Sequence, residues 1–258
     1  MKKHIPNIIT CCNLICGCIA TSNALLASVY LLDNPVSFRM RMTHYALAVA
    51  FILLGAVFDF FDGMAARALG VSSPIGKELD SLADVVTFGV APSMMLFTLF
   101  QEVQYPEPLA SMNFSLFTFH FSLRNALPYT AFIMAAFSAL RLAKFNLDTR
   151  QATSFIGLPT PANALFWGSL ILGQHAFLVS PKFNAVFLFL FMLMFSFLLV
   201  AEIPLFSLKF KNLSWADNKV KYIFLAGCLP CLLLAESCFA AIILWYIVLS
   251  LCNSHYRT

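Results

Sequence analysis

Long apolar runs broken by short polar stretches recur along the whole chain. A helix needs about 20 mainly apolar residues to cross a bilayer core of ~30 Å. Runs at roughly 8–32, 44–68, 77–101, 127–146, 160–179, 183–203, 218–234 and 236–252 meet or approach that length. The pattern predicts an all-α polytopic membrane bundle of about eight transmembrane helices. The last two runs are short and share a tight turn near Ala235-Glu236. Between the third and fourth runs, Gln104 to Asn125 includes Asn113-Phe-Ser-Leu-Phe-Thr-Phe-His-Phe121, where phenylalanines alternate in places with polar or small residues. That segment reads as an interfacial hairpin or a surface-lying stretch. No internal repeat and no linker divides the chain, so residues 1–258 are expected to form one membrane domain whose C-terminal helices occupy about 183–252.

Composition sharpens the class. The chain is 60% hydrophobic and 11% charged, whereas soluble domains run near half apolar and a quarter charged. Backbone polar groups must then be satisfied within helices. The net charge of +4 is modest, and the basic residues sit at segment ends. That distribution suits topology and anionic head groups, not nucleic acid. With an inside N-terminus and eight spans, the cytoplasmic side receives Lys2, Lys3, Arg67, Lys77, Arg141, Lys144, Arg150, Lys209, Lys211, Lys219, Lys221 and Arg257. The outside receives Arg39, Arg41, Arg124 and Lys182. The excess of basic residues inside favours both termini in the cytoplasm. Met1-Lys2-Lys3-His4 and the run after it are weak as a signal peptide, because Asn7, Thr10 and Asn13 interrupt the run, and they read as a retained first helix. Cys228-Leu-Pro-Cys231 has redox spacing but lies inside an apolar run, so buried packing is expected for the eight cysteines. Trp167, Trp215 and Trp245 read as packing or interface anchors, and Pro159 and Pro161 as a rigid helix entry.

The chemistry concentrates in residues 59–84. Asp59, Asp62, Asp80 and Asp84 stand at the ends of two apolar runs. One charged carboxylate at the centre of a membrane helix costs about 2.5–3.5 kcal/mol on insertion scales, so four call for a compensating partner. Asp59 and Asp62, three apart, share one helix face; Asp80 and Asp84, four apart, share another. The loop Leu69–Ile75 is short, which makes the two helices antiparallel neighbours and lets the carboxylate pairs converge. Divalent cations relieve such repulsion, and hard oxygen ligands suit Mg²⁺ or Mn²⁺. Gly63, Ala66 and Gly76 leave room beside the carboxylates. Arg67 offers forked donors for phosphate oxygens. Ser73 is placed to cap the next helix ahead of Pro74, and its hydroxyl or the nearby amides could also meet a phosphate.

These residues match D-x2-D-G-x2-A-R-x8-G-x3-D-x3-D at every fixed position: Asp59, Asp62, Gly63, Ala66, Arg67, Gly76, Asp80 and Asp84. The chain thereby resembles the CDP-alcohol phosphotransferases, which transfer a phosphoryl-linked group from a CDP-linked donor to an alcohol and release CMP. The resemblance implies two divalent cations held by Asp59, Asp62, Asp80 and Asp84, with Asp84 also the general base. It implies donor contacts from Gly63, Arg67 and Ser73, and space for the nucleotide at Ala66 and Gly76. A homodimer is expected on the same ground.

Outside the signature, Pro6-Asn7-Ile-Ile-Thr10-Cys-Cys-Asn13-Leu14-Ile-Cys-Gly17, Ala139-Leu-Arg141-Leu-Ala-Lys144-Phe145-Asn146 and Gly157-Leu158-Pro159-Thr160-Pro161-Ala162 resemble the bacterial membrane-embedded subfamily that takes CDP-diacylglycerol and L-serine. That resemblance implies phosphatidylserine synthesis in a bacterial-type cytoplasmic (inner) membrane, with the site facing the cytoplasm. Arg141, Lys144, Asn13 and Asn146 are the candidate serine contacts. Glycerol 3-phosphate or inositol phosphate as acceptor, and CDP-choline or CDP-ethanolamine as donor, are the alternatives within the enzyme class. A divalent-cation transporter is the alternative outside it; such a site is expected near the midplane between repeats.

Overall fold

The computed structural model describes residues 4–31, 34–71, 73–106, 112–116, 119–147, 155–206, 212 and 214–255. Its framework is helical: α1 (Ile5–Ala27), α2 (Pro35–Leu69), α3 (Pro74–Asp84), α4 (Ala91–Glu102), α5 (Phe132–Leu147), α6 (Thr160–Leu178), α7 (Ala185–Val200), α8 (Trp215–Leu232) and α9 (Cys238–His255). A π-helical segment, Val85–Val90, joins α3 and α4 into one rod. Among the described residues, five stretches are long and apolar enough to cross a membrane: Ile5–Tyr30, Pro35–Leu69, Pro74–Glu102, Leu123–Leu147 and Ala235–Asn253. α7 is apolar but shorter. Large apolar side chains such as Val36, Phe60, Phe187 and Leu229 point outward, as expected where the solvent is lipid.

Side-chain pairings fix the helix directions near the N-terminus. Thr10 meets Asp62 and Asn23 meets His44, so α1 and α2 run antiparallel. Asn13 meets Asp84 and Thr98 meets the Ala24 carbonyl, so α1 runs parallel to the α3–α4 rod. α2 and α3 are therefore antiparallel, as their short connection predicts. Lys77 reaches Asn146, and Gly89 packs on Ser138, which sets α5 antiparallel to the rod. In consequence the start of α1, the end of α2, the start of α3 and the end of α5 gather at one end of the bundle.

The α2–α3 connection is dictated locally. Gly70 ends α2 in the left-handed region at φ 60°, which only glycine adopts without steric cost. The Val71 amide then returns to the Ala66 carbonyl at 3.0 Å, closing the α2 C-terminus. Ser73 accepts the Gly76 amide at 3.0 Å and Pro74 opens α3. The predicted cap is thus present.

Several boundaries differ from the hydropathy pattern. α2 starts at Pro35, capped by Asn34, which accepts the Ser37 amide at 2.8 Å, not near residue 44. Arg39 and Arg41 consequently lie in the helix, not in an outer loop. For Arg41 the reason is Glu102. Its Oε2 pairs with Arg41 Nε at 2.9 Å and His175 Nε2 at 2.8 Å, and its Oε1 accepts the Tyr45 hydroxyl at 2.8 Å. A compensated charge is admissible where a lone one is not. At ~1.5 Å rise per residue, the 35 residues of α2 extend well past the hydrocarbon core.

Within Gln104 to Asn125, Asn113–Leu116 (β1) and Phe119–Ser122 (β2) pair antiparallel, so a hairpin forms there. Phe155–Ile156 (β3) pairs with Pro204–Leu205 (β4). The Ala235-Glu236 turn is a 3-10 turn with Ala235 at φ 48°. The central core is aromatic: Phe166 stacks on Phe195 at 4.0 Å between centroids, and fully buried Trp167 packs edge-on against Phe195. Trp215, by contrast, is exposed and stacks on Tyr222. The cysteines are free thiols, but only Cys16 is buried; Cys228 and Cys231 are half-exposed, and Cys11, Cys18 and Cys252 are exposed. The expectation of general burial fails because lipid, not water, meets these small side chains. Lys2, Lys3, Arg150, Lys209, Lys211 and Arg257, used in the charge count, lie outside the described residues.

Candidate active site

The two carboxylate helices deliver their charges to one place. Carboxylate oxygens of Asp59, Asp62 and Asp80 lie within 4.8 Å of one another. Asp59 and Asp62 come from one face of α2, and Asp80 from α3. Asp84 stands outside this three-membered group, one turn deeper in α3, where it is 8% exposed. It remains in electrostatic range of Asp59 and Asp80. The sequence pairs are therefore brought together as three plus one.

Each flanking carboxylate has a donor from α1. The Thr10 hydroxyl donates to Asp62 Oδ2 at 2.6 Å, and Asn13 Nδ2 donates to Asp84 Oδ1 at 3.1 Å. Asp80 Oδ1, by contrast, is buried with no hydrogen-bond partner. A buried, unpaired carboxylate oxygen is costly, and three convergent carboxylates at this spacing repel strongly at low dielectric. Both features fit a hard divalent cation, which takes oxygen ligands. Asp59, Asp62 and Asp80 are thus able to hold a metal ion.

A cavity of about 290 Å³ opens beside the cluster, lined in part by Asp62, Gly63, Ala66, Ser73, Gly76 and Asp80. Its two glycines act differently. A Cβ on Gly63 would meet nothing within 4 Å, so that glycine keeps the cavity open. A Cβ on Gly76 would lie 3.0 Å from both Asn7 Oδ1 and Ser73 Oγ, so that glycine lets α1 and the α3 cap close in. Arg67 sits exposed on the last turn of α2 and is not among the residues lining the cavity. Lys77 does line it, and its Nζ donates to the Asn146 carbonyl at 2.8 Å.

The candidate acceptor residues on α5 separate. Arg141 is 8% exposed, lies over the Phe145 ring at 5.0 Å and stands in electrostatic range of Asp84 and Asp59. Lys144 is exposed. Asn146 Nδ2 donates to Ser81 Oγ at 2.7 Å, which ties the end of α5 to α3. Asn13 is fully buried, with its amide nitrogen held by Asp84.

Thr10, Asn7, Lys77 and Ser81 were not singled out as site residues from sequence. The available signal was the polar spacing Asn7, Thr10, Asn13 in an otherwise apolar helix, where membrane burial makes each polar group conspicuous.

With this geometry, residues 3–198 match the CDP-alcohol phosphatidyltransferase family, and the chain belongs to that family. A CDP-diacylglycerol–serine O-phosphatidyltransferase of Bacillus subtilis is 38% identical over 160 residues, 62% of this chain and 70% of that protein. The enzyme of the same name from Methanocaldococcus jannaschii is 38% identical over 114 residues, 44% of this chain and 45% of its own. An archaetidylserine synthase of Methanothermobacter thermautotrophicus is 30% identical over 127 residues, 48% and 46% of the two chains. The matched stretch therefore spans seven-tenths of the Bacillus protein and about half of the two archaeal ones.

Proposed function

We propose that this protein transfers the phosphatidyl group of CDP-diacylglycerol to the hydroxyl of L-serine, giving phosphatidylserine and CMP. The observation that carries the reading is the convergence of Asp59, Asp62 and Asp80 within 4.8 Å beside a cavity kept open at Gly63. The names of the three relatives support serine as acceptor.

Asp59, Asp62 and Asp80, with Asp84 completing the set, would hold two divalent cations, Mg²⁺ or Mn²⁺. Such cations, when bound, offset negative charge on the donor's diphosphate and on the departing CMP. The chain's own residues supply position and proton transfer. Ser73 and the amides opening α3 meet the diphosphate, Ala66 and Gly76 border the nucleotide, and Arg67 approaches from the exposed rim. The serine hydroxyl attacks the phosphorus attached to diacylglycerol, and its proton passes to Asp84. The bond from that phosphorus to the bridging oxygen breaks, and CMP leaves with the oxygen. Arg141, buried beside Asp84, is the cation best placed for the serine carboxylate; a guanidinium holds a carboxylate through paired donors. Lys144 and Asn146 stand farther out on the same helix end.

The same reading includes eight spans, both termini in the cytoplasm and one membrane domain over residues 1–258. It places the site at the cytoplasmic face of the inner membrane, where Lys77 and Lys144 lie at the site's end of the bundle. The homodimer rests on resemblance to the family, and cross-linking in native membranes tests it. The acceptor is tested by CMP release from CDP-diacylglycerol in detergent, with serine, glycerol 3-phosphate and inositol phosphate offered separately. Release with serine alone supports the proposal. Release only with a phosphorylated alcohol leaves the transferase class and overturns serine.

A further inference from the structure

The buried stripe of α1 runs through Thr10, Asn13, Gly17, Ala20, Ala24 and Ala27. Beyond Asn13 its members are all small, and they serve close approach to α2 and the α3–α4 rod. A Cβ on Gly17 would run into Thr87, backbone included, and one on Gly55 would lie 2.6 Å from Thr87 Cγ2. Thr87 Oγ1 donates to the Asn13 carbonyl at 3.0 Å. The register of α1 is thereby locked to the π segment that begins immediately after Asp84. Thr10 and Asn13 stand at the site's end of that locked stripe, three residues apart on one face. One donates to a carboxylate of α2 and the other to a carboxylate of α3.

We infer that Thr10 and Asn13 are a positioning pair, through which the first helix orients Asp62 and Asp84 for cation binding and proton transfer. The inference rests on the functional reading above. Each donor occupies one oxygen of its carboxylate and restricts the rotation of the group, leaving the second oxygen free of that partner. Partners that orient ligands in this way tune affinity without touching the ion. The Thr10 hydroxyl has one proton and also lies 3.0 Å from the Pro6 carbonyl. The carboxylate is closer and carries the charge, so it takes the hydrogen bond. Asn13 Oδ1 is buried with no hydrogen-bond partner. That cost is understandable if the residue is kept for its amide donor. On this account Asn13 serves the reaction through Asp84, not by contact with serine.

The test is Mn²⁺ binding to the purified full chain, read from the free-ion electron paramagnetic resonance signal, beside steady-state kinetics. Thr10→Val keeps the shape and deletes the donor, and Mn²⁺ affinity should fall about 10–100-fold, the usual cost of losing such a partner. Thr10→Ser restores the donor and should bind Mn²⁺ within about threefold of the wild type. Asn13→Leu should lower kcat by about tenfold or more while the KM for CDP-diacylglycerol stays near that of the wild type. A merely structural role would lower the unfolding temperature of all three variants and leave the Mn²⁺ affinity of the folded fraction untouched. Wild-type Mn²⁺ affinity in folded Thr10→Val, or failure of Thr10→Ser to recover it, overturns the inference. Wild-type protein that binds no Mn²⁺ overturns the metal reading itself, which separates the two failures.

Discussion

At the scale of single residues, the site is a set of carboxylates whose burial makes sense only with a compensating charge. Asp80 Oδ1 is the plainest instance, enclosed and without a hydrogen-bond partner. Asp84 stands apart from the Asp59, Asp62 and Asp80 group and is held by the Asn13 amide. If it takes the acceptor proton, Asp84→Asn should lower kcat by about 10²–10⁴-fold, the range of general-base contributions, in protein whose unfolding temperature is unchanged. Gly63 offers a complementary test from the open side. Because a Cβ there meets nothing in the protein, Gly63→Ala should fold as the wild type does and raise the KM for CDP-diacylglycerol. An unchanged KM would mean that the cavity is not where the donor sits. The convergence of Asp59, Asp62 and Asp80, the open space at Gly63 and the Ser73 cap were legible in the sequence, because short-range spacing on a helix fixes which residues share a face. Gly76, read as leaving room, instead lets Asn7 and Ser73 close in. The partner of Thr10 was not legible, since it lies 52 positions away; the polar spacing along α1 marks the residue but not the carboxylate it meets.

At the scale of elements, the predicted antiparallel pairing of α2 and α3 holds, since a short capped turn leaves no other arrangement. The π segment Val85–Val90 was invisible to hydropathy, as its apolar residues run straight into the apolar α4. π-bulges cluster at functional sites, and this one follows directly on Asp84. The early start of α2 also escaped hydropathy, because Arg39 and Arg41 read as loop charges until Glu102 is seen to neutralise Arg41. Gly17 and Gly55 give the element-scale prediction. Gly17→Val would push α1 off the backbone of Thr87 and carry Thr10 and Asn13 away from the carboxylates. Mn²⁺ affinity and kcat should then both fall by about tenfold or more, although neither substituted atom touches the site. Retention of both would show that the register of α1 is not what aligns the acids.

At the scale of the whole molecule, the two ends of the bundle do different work. One end holds the acids and the cavity. Toward the other, Arg41, Tyr45, Glu102 and His175 form a buried cluster joining α2, α4 and α6. Breaking a buried ion pair by removing one partner costs about 3–5 kcal/mol. Glu102→Gln should therefore lower the unfolding temperature markedly while leaving the activity per folded molecule unaltered. The proposed orientation, with the site's end of the bundle in the cytoplasm, is checked by labelling. In an otherwise cysteine-free protein, Lys144→Cys should react with a membrane-impermeant thiol reagent only from the cytoplasmic side, and Lys182→Cys only from the opposite side; the reverse would invert the topology. Metal-dependent phosphatidyl transfer to serine by the carboxylates of residues 59–84 is read most directly by mass spectrometry of lipids after purified protein in liposomes containing CDP-diacylglycerol is given serine and Mn²⁺. Phosphatidylserine that appears with wild-type protein, and is abolished by EDTA and by Asp84→Asn, is the predicted result. Phosphatidylserine formed equally well in EDTA would rule out metal dependence, and none formed by folded wild-type protein would rule out transfer to serine.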